Sequence, residues 1–151
     1  MIRVLYTRRS HPGSWLIRAA TWGEWSHCDL VCADGSLIGA AAPAGVTACA
    51  MAERLGHASA AEVVSYPGDG RKAEAWARTQ LGKPYDWLGV IGLGLHRDWS
   101  GDERDWWCSE FVGRACQEGG YDPWRRCALR RLTPQQHYAL NHPAEPVALP
   151  A

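Results

Sequence analysis

The sequence predicts a single α+β domain, and three observations predict it. Short β-prone segments cluster before residue 67, stretches with apolar residues at helical spacing surround and follow them, and 151 residues are enough for one core. No internal repeat, low-complexity tract or linker divides the chain. Residues 1–140 therefore read as one domain. Residues 141–151 (NHPAEPVALPA) hold three prolines and read as an extended tail over the surface.

Each element has its own warrant. Arg3–Arg9 carries Val4, Leu5, Tyr6 and Thr7 and suits a short strand. Pro12-Gly13-Ser14 looks like a helix start, with Ser14 as N-cap before WLIRAAT. Ser26–Ala33 (SHCDLVCA) reads as a strand, and Ser36–Ala40 as its hairpin partner across Asp34-Gly35. Glu62–Tyr66 is a further strand, closed by the turn Pro67-Gly68-Asp69-Gly70. Arg71–Leu81 sets Ala73, Trp76, Ala77 and Leu81 close to one helical face, and Gly82 stops it. Tyr85–His96 suits a second, glycine-containing helix. Cys108–Glu118 has the clearest period: Cys108, Phe111, Val112, Ala115 and Cys116 share one face, and Gly119-Gly120 ends it.

Composition excludes whole classes of function. Sixteen Lys+Arg balance sixteen Asp+Glu, so no basic surplus favours nucleic acid or an anionic membrane. Apolar runs are broken well short of a spanning length, which argues against an integral membrane segment. Met1–Arg9 (MIRVLYTRR) lacks the apolar stretch of a signal peptide, so the chain is expected in the cytoplasm as synthesised. In that compartment six cysteines read as thiols and not as a disulfide framework. Nine tryptophans against one phenylalanine suit an aromatic-lined cleft, or simply a bulky core.

Cys108 is the first candidate for chemistry. A thiol opening a helix meets the positive end of the helix dipole and unpaired backbone N–H groups, which favour thiolate and could hold an oxyanion. The plainer reading is a small apolar residue continuing the Phe111/Cys116 face. A nucleophilic thiol needs a base, and six histidines are available: His11, His27, His57, His96, His137 and His142. Strand alternation sets His27, Asp29 and Val31 on one face and the core-like Cys28, Leu30 and Cys32 on the other. A zinc site from Cys28, Cys32, Cys49, Cys116 and Cys127 with His27 and His57 lacks the spacing of structural zinc modules, so no metal or other cofactor is expected. Arg125, Arg126, Arg130 and Arg131 around Trp124 form a basic run offset by Asp102, Glu103 and Asp105, and read as a solvated face. Gly89, Gly92 and Gly94 lack the strand-then-helix context of a nucleotide loop.

The pairing of SHCDLV early with WCSEFV late resembles the circularly permuted papain-like cysteine hydrolases. These form the permuted branch of the NlpC/P60 superfamily, with the bacterial YiiX-like proteins and the lecithin:retinol acyltransferase group. Tyr85-Asp86 within LGKPYD is similar to a segment that precedes the cysteine helix there, and the likeness runs from Val4 to Glu118. The resemblance implies a small antiparallel sheet packed against helices, with the nucleophile at a helix N-terminus. It implies Cys108 as nucleophile, His27 as general base and then acid, and a thioester intermediate. Tyr85 and Trp107 would line the site or donate to the oxyanion. Relatives usually carry a polar third residue on the strand after the histidine strand. Here that segment is Leu37-Ile38-Gly39-Ala40, leaving Asp29 or a backbone carbonyl to orient the imidazole.

The expected function is a cysteine-dependent hydrolase or acyltransferase acting on an amide or ester bond, its substrate a cell-wall peptide or a lipid acyl group. As a phage or prophage product it would act at the wall. A non-catalytic binding or assembly module on the same fold stands beside this reading, favoured by the empty third position, and a zinc-stabilised structural protein stands behind both.

Overall fold

The computed structural model describes residues 1–10, 14, 15, 18, 19, 22–94, 104–124, 129–140 and 142–150. In chain order the elements are β1 (Ile2–Arg8), β2 (His27–Val31), β3 (Leu37–Ala41), β4 (Gly45–Cys49), α1 (Met51–Leu55) and β5 (Ala60–Tyr66). Then follow α2 (Gly70–Thr79), α3 (Trp87–Gly94), α4 (Cys108–Glu118), a 3-10 turn over Leu129–Arg131, α5 (Pro134–Tyr138) and β6 (Ala144–Pro146). All six strands join one antiparallel sheet in the order β4-β3-β2-β1-β5-β6. Sheet and helices make an α+β fold.

Alternation along the strands builds two cores. Ile2, Val4 and Tyr6 of β1, Cys28 and Leu30 of β2, and Val64 and Tyr66 of β5 point to one face. There they meet Ala73 and Ala77 of α2 and Phe111, Val112, Ala115 and Cys116 of α4. Burying a side chain such as Phe111, which has no exposed surface, contributes roughly 1.5–3 kcal/mol. Leu5, Val31, Leu37 and Val63 point the other way and pack with Leu55 of α1. Strand β1 is central because both of its faces are apolar.

Local chemistry sets the element ends. Gly35 supplies a φ of 82° at the β2–β3 turn, where Cys32 N–H donates to the Ser36 carbonyl at 2.8 Å. The Asp69 side chain caps α2 by accepting from the N–H groups of Arg71 and Lys72. Asp86 accepts from the Gly89 N–H at 2.6 Å, so the second helix starts after Tyr85-Asp86 and not at Tyr85 as expected. Ser14 is itself helical, and its hydroxyl donates to Ser26 Oγ at 2.6 Å. The rest of the WLIRAAT helix lies largely outside the described residues, as do His11, residues 95–103 and Arg125–Ala128.

Strand β4, helices α1 and α5, the 3-10 turn and strand β6 were not anticipated. Strand β4 and helix α1 come from Gly45–Leu55, an alanine-rich stretch without clear period. Strand β6 forms within the proline-rich tail, exposed and extended, pairing with Val63 through Glu145. No helix among the described residues is long and apolar enough to cross a membrane.

Candidate active site

Strands β2 and β3 pair at Leu30–Ile38 and Val31–Leu37 only, so the His27 end of β2 has no ladder partner on that side. The N-terminus of α4 fills this corner. Cys108, the first residue of α4, is 8% exposed. Its sulfur lies in hydrogen-bond contact with the His27 ring, the Cys28 thiol and the Cys28 backbone N–H. Alternation aims His27 at the face opposite Cys28, but at the open end of the strand its imidazole still meets the sulfur. Trp107 occupies the N-cap position of α4 and places no side chain on the first N–H groups, leaving them available to a developing negative charge.

The imidazole is held from its far side. His27 Nε2 is 3.0 Å from Asp29 Oδ1, which leaves Nδ1 for the sulfur. The Asp29 carboxylate has no exposed surface and is gripped by Arg54 of α1: Nη2 donates to Oδ1 at 3.1 Å, and Nε forms an ion contact with Oδ2 at 2.7 Å. Gly39 gives the carboxylate its room. A Cβ built on Gly39 would sit 2.0 Å from Asp29 Oδ1. The third position that looked empty in the sequence is where the carboxylate of the neighbouring strand lies. It supplies the orienting group from β2 itself.

Charge follows this geometry. Burial pushes the His27 pKa down, but the Asp29 charge and hydrogen bond, together with the Cys108 contact, outweigh it and raise it to about 9. The Cys28 thiol is the largest influence holding Cys108 well below the ordinary thiol range. It acts against burial, and contact with His27 adds to it. Burial would raise Asp29, yet His27 and Arg54 keep it below the usual carboxylate value. These shifts all run in the direction that favours an imidazolium–thiolate pair, backed by a buried carboxylate and a guanidinium.

The remaining candidates divide. Tyr85 is tied beside the cysteine: Trp106 N–H donates to the Pro84 carbonyl and Asp86 N–H to the Trp106 carbonyl, both at 3.2 Å. Burial raises the Tyr85 pKa, and the nearby Cys108 charge raises it further, so a neutral phenol faces the site. The Trp107 indole is 2% exposed, and its Nε1–H has no hydrogen-bond partner among the described residues, so it is a packed core side chain. His137 is buried against Tyr6, His142 pairs with Tyr121, and His57 is exposed; none of these meets Cys108. Trp124 packs on His137, 4.1 Å between ring centroids, and so belongs to the core, not to an arginine patch. Cys116 is fully buried on the apolar face of α4, and Cys127 and His96 lie outside the described residues. Among the described residues no three His, Cys, Asp or Glu side chains converge as a metal site.

Sequence reasoning missed Arg54 and the contact made by Cys28. Arg54 sits on a five-residue helix with no motif around it, and Cys28 reads as an ordinary core residue.

No family model matches the chain, and no curated protein matches it. Among solved structures it is similar to "Crystal structure of metalloprotein yiiX from Escherichia coli O157:H7", with a TM-score of 0.71 and 17% identity over 99% of this chain and 96% of that one. At that identity the likeness carries the fold: the α+β arrangement here is YiiX-like.

Proposed function

We propose that this chain is a cysteine hydrolase or acyltransferase of the circularly permuted papain-like type, cleaving an amide or ester bond of a peptide or lipid acyl group. One observation carries the reading: a thiol at an uncapped helix N-terminus touches an imidazole whose other nitrogen is held by a buried carboxylate. In the proposed reaction the Cys108 thiolate attacks the acyl carbon and forms the C–S bond. The Cys108 backbone N–H holds the developing oxyanion. The His27 imidazolium gives its proton to the leaving nitrogen or oxygen as that bond breaks. Neutral His27 then takes a proton from water or another acceptor, whose heteroatom bonds to the acyl carbon; the C–S bond breaks, and the imidazolium–thiolate pair returns. Asp29 and Arg54 keep the ring in place and touch no reacting atom.

The solved relative is titled a metalloprotein. Among the described residues here, no group of three or more His, Cys, Asp or Glu side chains is placed to hold a metal ion.

The test is iodoacetamide alkylation of every cysteine across a pH series, read by peptide mass spectrometry, followed by turnover of amide, ester and thioester probes. Cys108 is expected to alkylate fastest and to do so well below the ordinary thiol pKa of about 8.5. His27→Ala should slow it near neutral pH, and Cys108→Ser should abolish acyl transfer with the fold intact. Cys108 alkylating no faster than Cys116 would leave a binding module on the same fold as the better description.

A further inference from the structure

The hydrolase reading gives Cys28 no part in the chemistry beyond the hydrogen bond that favours the Cys108 thiolate. Cys28 is a poor candidate for mere filler, because its position is set from three sides. Its register opposite Tyr6 turns its side chain to the α4 face. It has no exposed surface, and its thiol contacts the Cys108 sulfur directly. Both residues belong to one buried cluster and both are unbridged thiols. A nucleophilic thiolate with a second thiol in contact is the arrangement in which oxidation of the first is captured by the second.

We propose that Cys28 is a resolving thiol for Cys108, so that a peroxide-class oxidant converts the pair reversibly into a Cys28–Cys108 disulfide and switches the site off. The inference rests on the reading of Cys108 as an activated thiolate. In the first step the Cys108 thiolate attacks one peroxide oxygen. The O–O bond breaks, hydroxide leaves, and the sulfur is oxidised by two electrons to a sulfenic acid. In the second step the Cys28 sulfur attacks the Cys108 sulfur. The S–O bond breaks, and the departing hydroxide takes the Cys28 proton to give water. The disulfide consumes the nucleophile and protects it from irreversible sulfinic acid, and an external dithiol restores both thiols. A buried partner in standing contact suits this role, because the sulfenic acid forms with its captor already beside it.

The experiment treats the reduced protein with hydrogen peroxide at neutral pH, blocks remaining thiols, and maps the cysteines by non-reducing peptide mass spectrometry. Wild type is expected to give a Cys28–Cys108 linked peptide and to lose iodoacetamide labelling at Cys108, with labelling regained after dithiothreitol. Cys28→Ala and Cys28→Ser, each checked for a native melting transition, are expected to trap dimedone at Cys108 and then to accumulate sulfinic acid that dithiothreitol does not reverse. Cys108 reaching sulfinic acid in wild type as fast as in the Cys28 variants would overturn the resolving role and leave the thiolate reading standing. Cys108 inert to both peroxide and iodoacetamide would overturn the thiolate reading and this inference with it.

Discussion

Gly39 and Asp29 fit together as space and charge. The carboxylate that turns His27 lies where any side chain at 39 would start, 2.0 Å from a built Cβ. Gly39→Ala is therefore expected to displace the carboxylate from Nε2 and weaken the imidazolium. The inflection of Cys108 alkylation should move upward in pH, by about one unit or more, with the circular dichroism spectrum retained. An unmoved inflection would mean that Asp29 is not the group that charges His27. Stability offers an independent check on the pair. A folded imidazolium–thiolate pair, the state these shifts favour, shares one proton, held on His27; unfolded, between the ordinary histidine and cysteine ranges, the two side chains also share one, held on the thiol. Proton uptake is equal in both states, so the pair adds no slope between about pH 6.5 and 8.5. Cys108→Ser removes the thiol's share. His27, its folded pKa raised by Asp29, then contributes stability that is complete below pH 6.5 and lost as pH rises, at up to about 1.4 kcal/mol per unit. Urea midpoints of wild type and C108S should diverge with rising pH, and parallel curves would count against a charged pair.

At the scale of elements, α5 docks through a buried polar chain. His137 Nδ1 meets Tyr6 Oη at 2.8 Å, Tyr6 Oη meets Tyr66 Oη at 2.7 Å, and Tyr66 Oη donates to the His137 carbonyl at 2.9 Å. Burial lowers the His137 pKa to about 3, so the folded protein refuses a proton that the unfolded chain accepts below about 6.5. Stability should fall as pH drops from 6.5 towards 3, at up to about 1.4 kcal/mol per unit, and His137→Gln should flatten that limb of a urea–pH series. Elements also explain what was legible in the sequence. The α4 helix was read to its exact ends because its 3.6-residue period is unbroken from Cys108 to Cys116. Alternation in β2 set His27 and Asp29 on one face, which was half of the site. The rest depended on long-range packing. Arg54 stands on a helix too short to show a period, and β4 is written in small residues whose pairing is decided by β3. Gly39 looked like a deficiency because the group that fills its space belongs to another strand.

For the whole molecule, strand order separates support from chemistry. The candidate site gathers at β2 and the N-terminus of α4, while β6 pairs with β5 at the far edge of the sheet. Removing residues 143–151 deletes the Val147 N–H to Ala61 carbonyl bond and the Ser65 N–H to Pro143 carbonyl bond along with the β5–β6 ladder. The truncated protein is expected to lose on the order of 1–3 kcal/mol in urea denaturation and to keep the Cys108 alkylation profile of the full chain. A changed profile would show that the edge strand shapes the site after all. The same order has a consequence in time. The imidazole and its carboxylate come from the second strand, the guanidinium from the short helix α1, and the sulfur from a helix that follows five of the six strands. A growing polypeptide thus holds His27 and Asp29 long before it holds Cys108. The charged pair therefore has no counterpart in any short stretch of the chain, and it exists only where α4 packs against β2.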